Sequence, residues 1–253
     1  MLDLCIEDLL IGNDHQDVRP PGDSRLMSGI GLLNEKPLHA SLKEWYAQPG
    51  DQFEVTVDGF VIDIVRDDLL LEIQTGNFAS IKSKLAALVH SHRIRLIYPI
   101  AQEKWIVKQA KDNRSEATRR KSPKKGRVEE LYRELLRFPH LIMNPNFSLE
   151  VLLIREEEER RYEGKQKWRR RGWGTEERRL LEVVERKVFE EAADLKAHIP
   201  EEAGESFTTK DLAEATGMSR TLVQKMVYCL RKVNVIEFAG KEGRANLYRL
   251  AVA

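Results

Sequence analysis

Residues 53–74 read FEVTVDGFVIDIVRDDLLLEIQ, and this stretch decides the fold. Asp58-Gly59 is a two-residue hairpin signal, because both residues tolerate the positive φ that a type I′ turn demands. Centring a hairpin there sets Glu54 opposite Asp63. Asp67-Asp68 is a second turn of the same length, weaker because Asp accepts positive φ less readily than Gly. Centring the next hairpin on it sets Asp63 opposite Glu72, so three carboxylates line up across three antiparallel strands. Strand alternation sorts the side chains into two faces. Phe53, Val55, Val57, Phe60, Ile62, Ile64, Leu69, Leu71 and Ile73 form an apolar core face. Glu54, Thr56, Val61, Asp63, Val65, Leu70, Glu72 and Gln74 form the other, a half-apolar cleft holding acids. Like charges directly opposite in a sheet sit about 5 Å apart and repel. A hard divalent cation, Mg2+ or Mn2+, takes carboxylate oxygens and is the expected counter-charge. The alternative is that the acids simply face water on an exposed sheet surface.

Outward from the meander, residues 40–47 (ASLKEWYA) read as a helix ended by Pro49-Gly50, and residues 1–36 as an irregular arm. Asn77 caps a following helix with the stripe Phe78, Ile81, Leu85, Leu88 and Val89. RIRLIYPI (93–100) is then a buried strand parallel to the meander, and KWIVKQ a further strand after a short turn. The order is helix, three-strand antiparallel meander, helix, strand. A polar loop (111–126), a helix (128–138) and a strand (149–156) follow. Residues 164–174 (GKQKWRRRGWG) form a basic hairpin or an ordered linker. From Thr175 a long amphipathic helix is expected, its stripe Leu181, Val184, Val188, Ala192, Leu195 and Ile199 closed by Pro200.

Residues 207 onward, from FTTKDL, fit a winged helix-turn-helix. Thr208 or Thr209 caps one helix, Gly217 makes the turn, and Ser219 caps the next, whose Leu222, Val223, Met226, Val227 and Leu230 point inward. Arg220, Thr221, Gln224, Lys225, Tyr228, Arg231 and Lys232 point outward, available to DNA. The last two strands form a wing around Lys241, Gly243 and Arg244. The expected organisation is thus an arm (1–36), an α/β domain (37–156), a basic segment (157–174) and a winged-helix domain (175–253).

The formal net charge of +1 hides segregation. Residues 108–127 carry nine basic side chains, among them Arg119, Arg120, Lys121, Lys124 and Lys125, against Asp112 and Glu116. Residues 160–171 carry seven, including Lys167, Arg169, Arg170 and Arg171, interleaved with Tyr162 and Trp168. Dense Lys and Arg neutralise phosphate, and aromatics among them can stack on bases; the bland alternative is a solvated loop. Nucleic acid is the expected partner and a membrane is not, since no apolar run approaches a span. The acidic opening MLDLCIEDLLIGNDHQD argues against an export signal, and two cysteines, Cys5 and Cys229, provide no disulfide framework. A reducing cytoplasm is expected. A winged helix permits a homodimer and nothing demands one. Walker loops, zinc-spaced cysteines and nucleophile elbows are absent.

The stretch from Asp63 to Gln74, in this element order, resembles the PD-(D/E)XK nucleases, a family that includes restriction enzymes and Holliday-junction resolvases. The resemblance covers about residues 40–108 and implies a restriction-endonuclease-like core. By that likeness Asp63 and Glu72 hold Mg2+ or Mn2+, and Gln74 stands where the family has lysine. Lys82 or Lys84 on the next helix could restore the missing charge. The family's glutamate on the preceding helix corresponds to Glu44, with Glu54 as the competing candidate from strand pairing. The implied activity is metal-dependent phosphodiester hydrolysis, on DNA in preference to RNA. Because Gln74 replaces lysine, a catalytically silent DNA-binding regulator or adaptor is the alternative; an RNA-processing nuclease is the third reading.

Overall fold

The computed structural model describes residues 36–110, 116–164 and 172–251. Both meander turns form where the sequence sets them. Asp58, Gly59 and Asp67 take φ of +49°, +81° and +51°. Strands β1 (Gln52–Val57), β2 (Phe60–Arg66) and β3 (Leu69–Ile73) follow. Gln52 pairs with Val65 and Val57 with Phe60, and across the second turn Ile64 pairs with Leu71 and Arg66 with Leu69, the expected register.

The side chains do not divide into one core face and one cleft. Glu54 has φ of +53°, an interruption between the Phe53–Ile64 and Val55–Ile62 pairs. At Asp63 the carboxylate itself accepts from the Ile73 N–H at 2.7 Å. Both irregularities re-aim the strands, so Ile62 and Ile64, two residues apart, enter different cores. Phe53, Ile64, Leu69, Leu71 and Ile73 pack with helix α1 (Pro37–Tyr46) through Leu38, Leu42 and Tyr46. Ile62 and Leu70, with Val57, Phe60 and Val65 beside them, join the opposite core. There Phe78, Ile81, Leu85 and Leu88, of the turn before helix α2 (Lys82–Leu88) and of α2 itself, are buried. Each fully buried Leu or Phe of this kind contributes about 1.5–3 kcal/mol. Asp63 and Glu72 are therefore largely covered rather than open, their side chains 16% and 11% exposed.

Helix α2 returns the chain to β4 (Arg93–Lys108), parallel to β3. This is one strand of 16 residues where two were expected. A bulge between Ala101 and Glu103 is all that remains of the break. Strand β5 (Thr118–Lys121) pairs with its far end. Helical turns at Val128–Leu131 and Pro139–Met143 flank α3 (Tyr132–Leu135), replacing the single helix expected over 128–138. Strand β6 (Phe147–Tyr162) runs parallel to β4, and β7 (Trp173–Phe189) antiparallel to β6. The large sheet is mixed, in the order β1-β2-β3-β4-β6-β7.

Strand β7 corrects the long helix expected from Thr175. Its register against β6 shifts three times, leaving Val184, Leu181 and Glu176 as extra residues. Inserted residues stretch a period of two toward the spacing of a helix, which makes Leu181, Val184 and Val188 look like a stripe. In the strand Leu181 and Val188 are exposed, whereas Val183 and Phe189 are buried. The sheet thus runs through the breaks expected at 156 and 174, and the basic segment read as a hairpin or an ordered linker falls in large part, at 165–171, outside the described residues.

Beyond β7, a helical turn (Ala192–His198) leads to β8 (Ser206–Phe207), α4 (Thr209–Thr216), α5 (Arg220–Lys232), β9 (Ile236–Glu242) and β10 (Ala245–Leu250). The second sheet has the order β8-β10-β9. Thr208 caps α4 in a reciprocal box with Asp211, and Ser219 caps α5. Gly217 between them has φ of +65°, which favours glycine. Leu222, Val223, Met226, Val227 and Leu230 are buried as expected, and they share one apolar core with α2 and α3. Residues 34–253 accordingly form one compact unit. Among the described residues, no helix is long and apolar enough to cross a membrane.

Candidate active site and candidate nucleic-acid interface

The two central acids of the meander lie close enough for the charge of Asp63 to act on Glu72. Asp63 stands where β2 leaves β3, its Oδ2 3.1 Å from His39 Nε2 on α1. Burial would raise its pKa. The hydrogen bond and charge of His39, the Ile73 N–H and the charge of Lys84 outweigh that and hold it below the ordinary value. Glu72 is 8% exposed. Lys84 Nζ, on α2, lies 2.6 Å from Glu72 Oε2 and donates to the Val61 carbonyl. Burial, then the neighbouring charge of Asp63, push Glu72 up to about 7, and Lys84 offsets only part of this.

Other candidates fall elsewhere. Glu54 turns outward to Lys43, 2.8 Å away, and is 42% exposed, so it rims the site without joining the pair. Glu44 is exposed on α1; the sheet-facing stripe of that helix is Leu38, Leu42 and Tyr46, which brings His39 and Lys43 to the acids instead. Lys82 is exposed at the start of α2, and Lys84 is the lysine that reaches in. The Gln74 Nε2 donates to the Asn77 carbonyl at 2.8 Å and to Ser80 Oγ at 3.0 Å, which ties it to the turn. His39 lies ahead of the helix that the sequence suggests over 40–47, whereas α1 begins at Pro37. Pro37, a favoured residue at a first helical position, was the signal for the earlier start.

Among the described residues, no three or more His, Cys, Asp or Glu side chains converge as a ready-made metal cage. The donor set fits a magnesium-like ion nonetheless, which binds through one or two carboxylates and keeps most of its waters. Asp63 and Glu72 would be those carboxylates.

The described parts of the basic segments lie at the far end of the large sheet, and most of their cations are already paired. Arg119 lies 2.6 Å from Glu157, Lys121 2.7 Å from Glu103, and Lys124 3.5 Å from Glu130. Arg119 and Lys121 also cover the ring of Trp105, at 5.3 and 5.0 Å. Lys104 bridges Glu156 and Glu158, each at 2.7 Å, and Arg178 closes on Glu156, Arg160 on Glu158. Burial would raise the Glu158 pKa, but hydrogen bonds from Lys104, Arg160 and Thr175 lower it to about 2. Arg120 and Lys125 are exposed. Lys167, Trp168, Arg169, Arg170 and Arg171 lie outside the described residues.

The α5 face differs. Arg220, Gln224, Tyr228 and Arg231 are exposed along one side, with Lys225 half-buried, and Lys241 and Arg244 are exposed on the β9–β10 hairpin. Among the described residues from 206 onward, the ion pairs are Lys210–Glu214 at 3.7 Å and Arg249–Glu237 at 2.6 Å, and neither involves these cations. Arg231 instead lies over Tyr248 at 5.6 Å, and Lys232 over Tyr228 at 5.9 Å.

Fold and site together define an α/β protein whose mixed sheet holds a covered carboxylate pair between a histidine and a lysine. The chain belongs to the family described as Domain of unknown function (DUF8091), which matches residues 36–190. That segment opens beside α1 and ends one residue past β7, so it coincides with the large sheet and its helices. An uncharacterized protein of Treponema pallidum (strain Nichols) is 29% identical over 222 residues, 87% of each chain. No solved structure matches.

Proposed function

We propose that this protein is a metal-dependent nuclease that hydrolyses phosphodiester bonds of DNA, with α4, α5 and the β9–β10 hairpin as a winged helix-turn-helix that holds the duplex. The observation that carries the reading is that Asp63 and Glu72, on adjacent strands, lie close enough for their charges to interact, within the element order α1-β1-β2-β3-α2-β4 that resembles the PD-(D/E)XK core. Two largely covered carboxylates whose charges act on each other are costly unless cations offset them, and Lys84 supplies one such charge. When bound, Mg2+ or Mn2+ would supply that charge, acidify a water and stabilise the leaving oxygen. Asp63 and Glu72 would hold the ion. His39 and the Ile73 N–H both bond Oδ2 of Asp63, which fixes the carboxylate and holds its pKa below the ordinary value. Lys84 brings to the acids the positive charge that Gln74 lacks. Arg220, Lys225 and Arg231 would contact the DNA backbone, with Gln224 and Tyr228 toward the bases.

A second reading, a catalytically silent DNA-binding adaptor, is favoured by one observation: Gln74 is tied to its own turn. One assay separates the two. Purified full-length protein is given labelled duplex DNA, single-stranded DNA and RNA with Mg2+ or Mn2+. Cleavage of DNA that disappears in Asp63→Ala supports the nuclease. Duplex binding with no metal-dependent product, equal in wild type and Asp63→Ala, supports the adaptor, and cleavage confined to RNA would move the substrate class.

A further inference from the structure

We propose that Lys84 is the resident cation of the Asp63–Glu72 site, and that a divalent ion must displace it in order to bind. The proposal rests on the reading of the acid pair as a metal site and adds a regulation to it. Its ammonium occupies the position a metal needs. It stands 2.6 Å from Glu72 Oε2 while donating to the Val61 carbonyl, a carboxylate and a carbonyl being the oxygen ligands that a hard cation takes. Asp63 lies close enough for its charge to bear on both Glu72 and Lys84.

The contact with Glu72 is a close ion pair at 2.6 Å, on a side chain 11% exposed. Lys84 therefore brings a single positive charge to two carboxylates that act on each other. A small divalent ion, with twice the charge, would offset both. Lys84 itself is reached by solvent, its side chain 16% exposed, and its stem runs from a short helix with Ser83 and Ala86 exposed beside it. The ammonium thus has water to move into once another cation takes its place. A lysine held in this way sets a threshold, because the site loads only when the incoming ion outcompetes a tethered charge. The tether gives that charge a high local concentration.

Binding of Mn2+ alone to the full chain, followed by the loss of its free-ion electron paramagnetic resonance signal, tests this without any turnover. Lys84→Gln and Lys84→Met remove the competing charge and each should bind Mn2+ about tenfold more tightly than wild type, a size within ordinary coupling between sites. Adding Glu72→Gln to either should abolish the gain. Thermal melts of all variants identify any that fail to fold, and the two replacements of different polarity guard against the loss of one. Equal or weaker Mn2+ affinity in both folded single variants overturns the displacement while leaving the metal site intact. Absence of saturable, Glu72-dependent Mn2+ binding in every protein overturns the metal site itself, and the role of Lys84 with it.

Discussion

At the far end of the large sheet, Arg119, Lys121, Lys104, Arg160 and Arg178 each lie against a glutamate. On α5, Arg220, Lys225 and Arg231 have no acid within 4.0 Å among the described residues. Seen along the chain, the ranking is reversed. The sheet cations come in dense blocks and those of α5 are scattered. The difference arises from strand pairing. Lys104 stands opposite Glu156, Ile106 opposite Glu158 and Trp105 opposite Glu157, so the run of glutamates in β6 lands on the basic ends of β4 and β5. A phosphate approaching the sheet end must compete with carboxylates already in place, whereas one approaching α5 competes only with water. Density of charge along a sequence is not availability of charge, and the α5 face is the better candidate for the nucleic-acid interface.

The contrast can be broken most directly at Glu156. Its carboxylate is fully buried between Lys104 and Arg178, and removing it breaks both pairs and leaves a gap in the buried centre of that network. Glu156→Ala should cost about 3–5 kcal/mol in urea unfolding. Arg231→Ala on the open face should stay within about 0.5 kcal/mol. Equal costs would mean that the sheet-end pairs are no more than surface contacts.

Binding should divide the other way. The triple change Arg220→Ala, Lys225→Ala and Arg231→Ala should weaken duplex DNA binding about a hundredfold and flatten the salt slope by about 2–3. Arg119→Ala with Lys121→Ala should change affinity less than about threefold, measured by fluorescence anisotropy across a salt series. The reverse ranking would return the interface to the sheet end.

A smaller effect comes from pH. Glu158 is depressed in the folded chain from 4.5 to about 2, so its stabilisation is complete above the unfolded value and is lost as pH falls from about 4.5 toward 2. After allowance for solvent screening this amounts to about 1–2 kcal/mol. Glu158→Gln should flatten the acid limb of stability in that window, and neutralising the α5 cations should leave it unchanged.

Much of the local architecture was legible from the residues. Asp58-Gly59 and Asp67-Asp68 made their turns, Asn77, Thr208 and Ser219 their caps, and the inward stripe of α5 its buried face. Each depends on neighbours a few residues away. Strand β7 was misread because its bulges imitate a helical period. The site was half legible. Asp63 and Glu72 followed from two adjacent turns, while His39, 24 residues before Asp63, and Lys84 could be assigned only once both helices were docked.

The sequence alone thus determined which residues turn, cap and pair within one hairpin, because those choices are made by backbone sterics and short-range hydrogen bonds. The tertiary structure decided which charges are satisfied. That depends on the burial and partner of each carboxylate or ammonium, and both are set by strands and helices distant in the chain. It placed a lysine and a histidine against the acid pair, paired most of the described cations at the sheet end with glutamates, and left those of α5 without an acid among the described residues.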